Sequence, residues 1–129
     1  MARIMIVDDE RHIIETLGLA FKSRGHETIS LSDPATVLSA AMRERPDVII
    51  LDLLMPGLDG YKLYHDLMAD ELLASTPVAI ITGHSGPLYK RISREIGIAL
   101  HLTKPFNPLE VVKRIEKLIA PGSGSARAD

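Results

Sequence analysis

A chain of 129 residues, 46% hydrophobic and 25% charged, has the length and balance of one globular domain. Its formal charge of −2 gives no global basic field for nucleic acid or an anionic membrane, and the absence of cysteine excludes disulfides and thiolate metal sites. No apolar run approaches a membrane-spanning helix, and Ile4–Val7 is too short for a signal peptide, so a cytoplasmic location without membrane insertion is expected.

Ile4–Val7 reads as a buried strand ending in Asp8-Asp9-Glu10. From about Glu10 to Arg24, Ile14, Leu17 and Phe21 recur at helical spacing, and Gly25 supplies a stop. Thr28–Leu31 is a second short strand. Ser32-Asp33-Pro34 starts a helix whose apolar face is Val37, Leu38, Ala41 and Met42. After Pro46-Asp47, the run Val48-Ile49-Ile50-Leu51 predicts a strand buried on both faces and ending at Asp52. Met55-Pro56-Gly57 then turns the chain, and Leu58-Asp59-Gly60 opens a third helix with Leu63, Leu67 and Met68 inward, fading near Ser75-Thr76-Pro77.

Val78–Ile81 predicts a fourth strand, ending at Thr82-Gly83. A fourth helix, about Pro87 to Ile96, has Leu88, Ile92 and Ile96 spaced by four and an exposed face with Lys90, Arg91 and Arg94. Ile98–Leu102 is a fifth strand, closing with Thr103-Lys104-Pro105. Asn107-Pro108-Leu109-Glu110 starts a fifth helix, with Leu109, Val112, Ile115 and Ile119 on its buried side. Pro121-Gly122-Ser123-Gly124-Ser125 reads as the start of a flexible tail over 121–129.

Five alternations of strand and helix predict an α/β fold: a doubly wound, five-stranded parallel sheet with helices on both faces. Five strands favour the order 2-1-3-4-5, the flavodoxin-like one. In that order Asp8 and Asp9, Asp52, Thr82 and Lys104 all reach one edge of the sheet, at and beside its switch point. Clustered carboxylates repel one another, and a hard divalent cation relieves this; oxygen-only ligands point to Mg²⁺. A cation, a lysine and a hydroxyl around one carboxylate describe a site that receives a phosphoryl group.

These motifs resemble the response-regulator receiver domain of two-component signalling. The residues that carry the likeness are Val7-Asp8-Asp9, Leu51-Asp52, Met55-Pro56-Gly57, Asp59-Gly60, Thr82-Gly83 and Leu102-Thr103-Lys104-Pro105-Phe106. The likeness as a whole covers residues 3 to about 119 and places a receiver domain at 1–120. The resemblance implies that Asp52 is the phosphoacceptor and that Asp8, Asp9, Asp52 and the Leu54 backbone carbonyl hold Mg²⁺. It also implies that Lys104 pairs with the phosphoryl group and that Thr82 bonds to it and drives the switch. The donor would be a histidine kinase or histidine phosphotransfer protein. The output would be a downstream protein docked on the face of helix four, strand five and helix five, without direct nucleic-acid contact.

Three positions depart from the family's habit. His101 stands at the switch position usually held by Tyr or Phe, and a ring there can turn into space that Thr82 vacates. Ala99 and Leu100 replace acids that many members pair across a dimer, which leaves only a weak homodimer among the expected partners. Ile98 and Leu100 would make the output face more apolar than usual. His84 and Leu54 sit where the family varies the phosphoryl lifetime.

The competing enzyme reading is a Mg²⁺-dependent phosphohydrolase of the haloacid-dehalogenase type. That reading needs an Asp-x-Asp nucleophile motif on the first strand, whereas residue 54, two beyond Asp52, is leucine. The five histidines show no pair at metal-binding spacing, Gly83-His84-Ser85-Gly86 lacks the lysine of a phosphate loop, and no GxGxxG stretch occurs. The domain is therefore expected to catalyse only its own phosphoryl transfer and dephosphorylation.

Overall fold

The computed structural model of the chain describes residues 1–57, 59–83 and 86–120. Strands β1 (Arg3–Val7), β2 (Glu27–Leu31), β3 (Val48–Asp52), β4 (Val78–Thr82) and β5 (Leu100–Thr103) alternate with helices α1 (Arg11–Lys22), α2 (Val37–Glu44), α3 (Gly60–Ala69), α4 (Pro87–Ile96) and α5 (Pro108–Ile119). Every pairing is parallel and the order across the sheet is β2-β1-β3-β4-β5, as the five apolar runs predict. The tail expected over 121–129 lies outside the described residues.

β3 and β4 are buried at every position. Because side chains alternate along a strand, such runs need a cover on both faces. On one face Ile4, Ile6, Val48, Ile50 and Ile81 pack against Leu17 and Phe21 of α1 and Val112 and Ile115 of α5. On the other, Met5, Val7, Ile49, Leu51 and Ile80 pack against Val37 and Ala41 of α2 and Leu63 and Leu67 of α3. α3 and α5 start on side-chain caps. Asp59 accepts from the N–H groups of Tyr61 and Lys62 at 3.0 and 3.1 Å, and Asn107 from those of Leu109 and Glu110 at 2.9 and 3.2 Å.

Several boundaries and faces differ from the sequence expectation. The Ser32-Asp33-Pro34 start first makes a 3-10 turn at Pro34–Thr36, with α2 following at Val37. Met42 and Leu109 are exposed, not inward. Each lies roughly 120–140° around its helix from the centre of the buried stripe, at 100° per residue. On α1 the stripe includes Ile13, while Ile14 is only partly covered. α3 stops at Ala69, because Asp70 takes the N–H groups of Leu72 and Leu73 into a turn of its own. α4 has the predicted bounds, yet its buried residue is Ser93; Leu88 and Ile96 are exposed.

β5 begins two residues later than expected. Gly97, at φ +98°, closes α4 in the left-handed region, and the Ile98 N–H donates back to the Ser93 carbonyl at 2.9 Å. Ile98 is thus part of the helix cap and is buried in the core at 2% exposure, so it adds little to the outer face.

At the edge where the strands begin, Glu116 of α5 accepts from Arg24 Nη2 at 2.7 Å and Nε at 3.1 Å and lies 2.8 Å from His26 Nε2. The Ala2 N–H donates to His26 Nδ1 at 3.0 Å, tying the start of the chain to the same cluster. Hydrogen bonds from Arg24, then His26, hold the Glu116 carboxyl below its ordinary range. A lowered carboxyl adds stability above the unfolded glutamate's range and loses it as pH falls through the folded value. Solvent reaches these side chains, so Glu116→Gln is expected to cost only about 1 kcal/mol at neutral pH. The deficit should close in acid. Urea midpoints measured across pH check both statements, and a deficit independent of pH would refute the charge account.

Candidate functional site

Asp8 directly follows β1, Asp52 closes β3, Thr82 closes β4 and Lys104 directly follows β5. Parallel strands bring these ends to one edge, and β1 and β3 are neighbours where the winding reverses. Asp8 and Asp52 are 2% and 4% exposed, while Asp9 is open to solvent. One carboxylate oxygen from each of the three lies within 4.8 Å of the others.

The buried carboxylates are held by the local backbone. Asp8 Oδ1 accepts from the Glu10 N–H at 2.9 Å, and Asp52 Oδ1 from the Leu54 N–H at 3.1 Å. Their second oxygens face Lys104, whose Nζ stands 2.9 Å from Asp8 Oδ2 and 3.2 Å from Asp52 Oδ2. Lys104 is positioned by its own N–H, which donates to the Thr82 carbonyl at 2.8 Å and carries the β4–β5 ladder one residue past the strand. The Lys104–Pro105 peptide bond is cis.

Burial pushes the Asp8 carboxyl up; the Glu10 N–H and Lys104 pull it back, Asp52 pushes it further, and the net direction is up. Burial alone would lower Lys104, but Asp8 and then Asp52 outweigh it and hold the ammonium above its ordinary range. The lysine therefore stays charged between two acids. The donor set for a metal is three carboxylates, with no thiolate and no histidine among the described residues of the cluster. Such all-oxygen ligands fit a hard cation of the Mg²⁺ kind, which Asp8, Asp9 and Asp52 would hold, with Leu54 two residues beyond Asp52.

Thr82 is fully buried and pairs with Thr103; two pairs back along the ladder, Ile80 pairs with His101. Register partners point to the same face, so Thr82, His101 and Thr103 share the sheet face that α3 covers. The His101 ring is half-buried, with Nδ1 2.9 Å from Ser93 Oγ. His84 lies outside the described residues.

Two contacts escape the sequence reading. Glu10 Oε1 lies 3.7 Å from Lys104, at the exposed rim of the cluster. Its position beside Asp8-Asp9 was the available signal. Ser93 bonds to His101 from the next element, and a lone serine among charged helix residues gives no sign of that.

The chain matches the response regulator receiver domain family over residues 4–116. It is 32% identical to the alkaline phosphatase synthesis transcriptional regulatory protein PhoP of Bacillus subtilis, over 91% of this chain and 48% of that protein. It is also 32% identical to the phosphate regulon transcriptional regulatory protein PhoB of Pseudomonas aeruginosa, over 95% of this chain and 55% of that protein. The chain spans about half the length of these curated relatives. Among solved structures, the chemotaxis response regulator CheY4 of Vibrio cholerae superposes with TM-score 0.84 at 28% identity, over 91% of this chain and 98% of that one. A response regulator from Chloroflexus aurantiacus gives TM-score 0.85 at 30% identity, over 92% and 98%. Sheet order, the acidic edge with its lysine, and the sequence match converge: this chain belongs to the receiver domains of two-component response regulators.

Proposed function

We propose that the domain is a switch set by phosphorylation of Asp52. The donor is a phosphohistidine on a histidine kinase or histidine phosphotransfer protein in the cytoplasm, and the output is a changed docking face on α4, β5 and α5. The observation that carries this reading is the Lys104 ammonium, held 3.2 Å from a buried strand-end carboxylate within an acidic cluster.

An Asp52 oxygen forms the new bond to phosphorus while the P–N bond to the donor imidazole breaks, its electron pair leaving on the ring nitrogen. Lys104 pairs with the charge spread over the phosphoryl oxygens, and the burial of Asp52 keeps that pairing strong. Asp8, Asp9, Asp52 and the Leu54 carbonyl would hold Mg²⁺, which supplies further neutralisation of the same charge. The Thr82 hydroxyl turns to the new phosphoryl group. His101, on the same sheet face, exchanges its Ser93 bond for the space left behind. Relatives are regulators of transcription by name, and the role assigned to this domain ends at protein docking, without direct nucleic-acid contact.

Intact-mass analysis after treatment with acetyl phosphate tests the assignment. One phosphoryl equivalent is expected on the native chain, and none on Asp52→Asn or in the presence of EDTA. Equal labelling of Asp52→Asn would overturn it.

A further inference from the structure

The face of α4, β5 and α5 encloses a shallow cavity of about 340 Å³ lined by Lys90, Arg94, Leu100, His101 and Arg114, among others. Its arginines are unusual in this chain. Arg3, Arg11, Arg24, Arg43 and Arg91 each lie within 4.0 Å of a carboxylate. Among the described residues, the arginines without an ion pair are Arg45, Arg94 and Arg114, and two of these three line this one cavity. Lys90, one helical turn before Arg94, is also unpaired among the described residues, and Glu95 is already taken by Arg91 at 3.2 Å. Three uncompensated cations from two helices thus converge on a concave surface, with half-buried Leu100 and His101 contributing to its lining.

We propose that this face docks an acidic segment of a partner protein, its carboxylates paired with Lys90, Arg94 and Arg114 and an apolar side chain seated against Leu100. The partner's chemistry deepens the switch reading above and rests on it only for the timing of binding. A second copy of this chain fits poorly, because a twofold pairing through one patch would set these cations against themselves. A nucleic acid fits poorly too: the cavity gathers three cations and not a track, on a chain of net charge −2. The cavity is joined to the switch by structure, since His101 in its lining bonds to Ser93 of α4.

The test is a titration of the ¹⁵N-labelled full chain with a short synthetic peptide of alternating Glu and Leu. Control probes are the same peptide with Lys for Glu and a single-stranded DNA oligonucleotide. Binding of the Glu peptide should shift the amides of Lys90, Arg94, Leu100 and Arg114, weaken as salt rises, and fall about tenfold in Arg94→Glu/Arg114→Glu. Lys90→Glu alone should weaken it less. Equal affinity for both peptides, shifts mapping elsewhere, an affinity unmoved by the double variant, or tighter binding of the oligonucleotide would each overturn the proposal. Acetyl phosphate labelling of the same variants separates the two readings. A chain that takes no label refutes the switch, while the peptide titration still decides the docking chemistry.

Discussion

Lys104→Met is expected to destabilise the fold by about 2–3 kcal/mol at neutral pH, with a deficit that shrinks in acid. The native ammonium lies 2.9 Å from Asp8 and 3.2 Å from Asp52, both nearly inaccessible to water. Removing it leaves two buried carboxylates facing each other. Asp8 is already raised by burial, and the loss of Lys104 removes one of the influences that pull it back. A carboxyl raised in the folded state favours folding below the unfolded aspartate's range and loses that contribution as pH rises through the folded value. The variant should therefore be weakest relative to the native chain where Asp8 is ionised. The native lysine carries the reverse limit: raised when folded, it stabilises below the ordinary lysine range and loses this as pH rises through its own value. Urea unfolding from acid to alkaline pH would show both arms. Addition of Mg²⁺ should narrow the neutral-pH deficit, because a cluster without the ammonium between Asp8 and Asp52 would bind the cation more tightly than the native one and so gain more stability by mass action. A deficit that changes with neither pH nor Mg²⁺ would mean that Lys104 acts through packing alone. Phosphoryl transfer from acetyl phosphate should slow by about a hundredfold in the same variant.

Gly60→Ala should cost about 2–3 kcal/mol, a large penalty for one methyl group. A Cβ at this position would stand 2.5 Å from the Leu53 carbonyl oxygen and 2.9 Å from the Leu53 Cα. Both are backbone atoms, so no side chain can swing aside. Alanine's better helix propensity, about 1 kcal/mol, cannot offset the clash. The strain falls on the segment that follows Asp52, so labelling of Asp52 should slow as well. Gly18→Ala is the control. Its Cβ would meet nothing within 4 Å inside α1, and the gain in helix propensity should leave the chain unchanged or more stable by up to about 1 kcal/mol. Denaturant midpoints with an unchanged slope would report stability alone. Equal effects of the two substitutions would refute the close approach at Gly60.

Taken by itself, the sequence determined the sheet and its acidic edge. Val48–Leu51 and Val78–Ile81 are apolar on both faces, and such runs have no stable home except inside a covered parallel sheet. Once the strands alternate with helices, their polar ends must share one edge, so Asp8, Asp9, Asp52, Thr82 and Lys104 come together by topology. What only the tertiary structure decided depends on contacts between elements that the apolar pattern of each element does not reveal. Ile98 looks like strand but is spent capping α4, because the Ser93 carbonyl captures its N–H before β5 can begin. Leu109 and Met42 fit an apolar pattern yet face solvent, because the sheet settles which part of each stripe is covered. The bridge of Lys104 to both carboxylates, the Ser93–His101 bond and the Arg24–Glu116–His26 clamp each join residues from separate elements. Local periodicity carries no information about such pairs, since their distance is set by how the helices lie across the sheet and not by spacing along the chain.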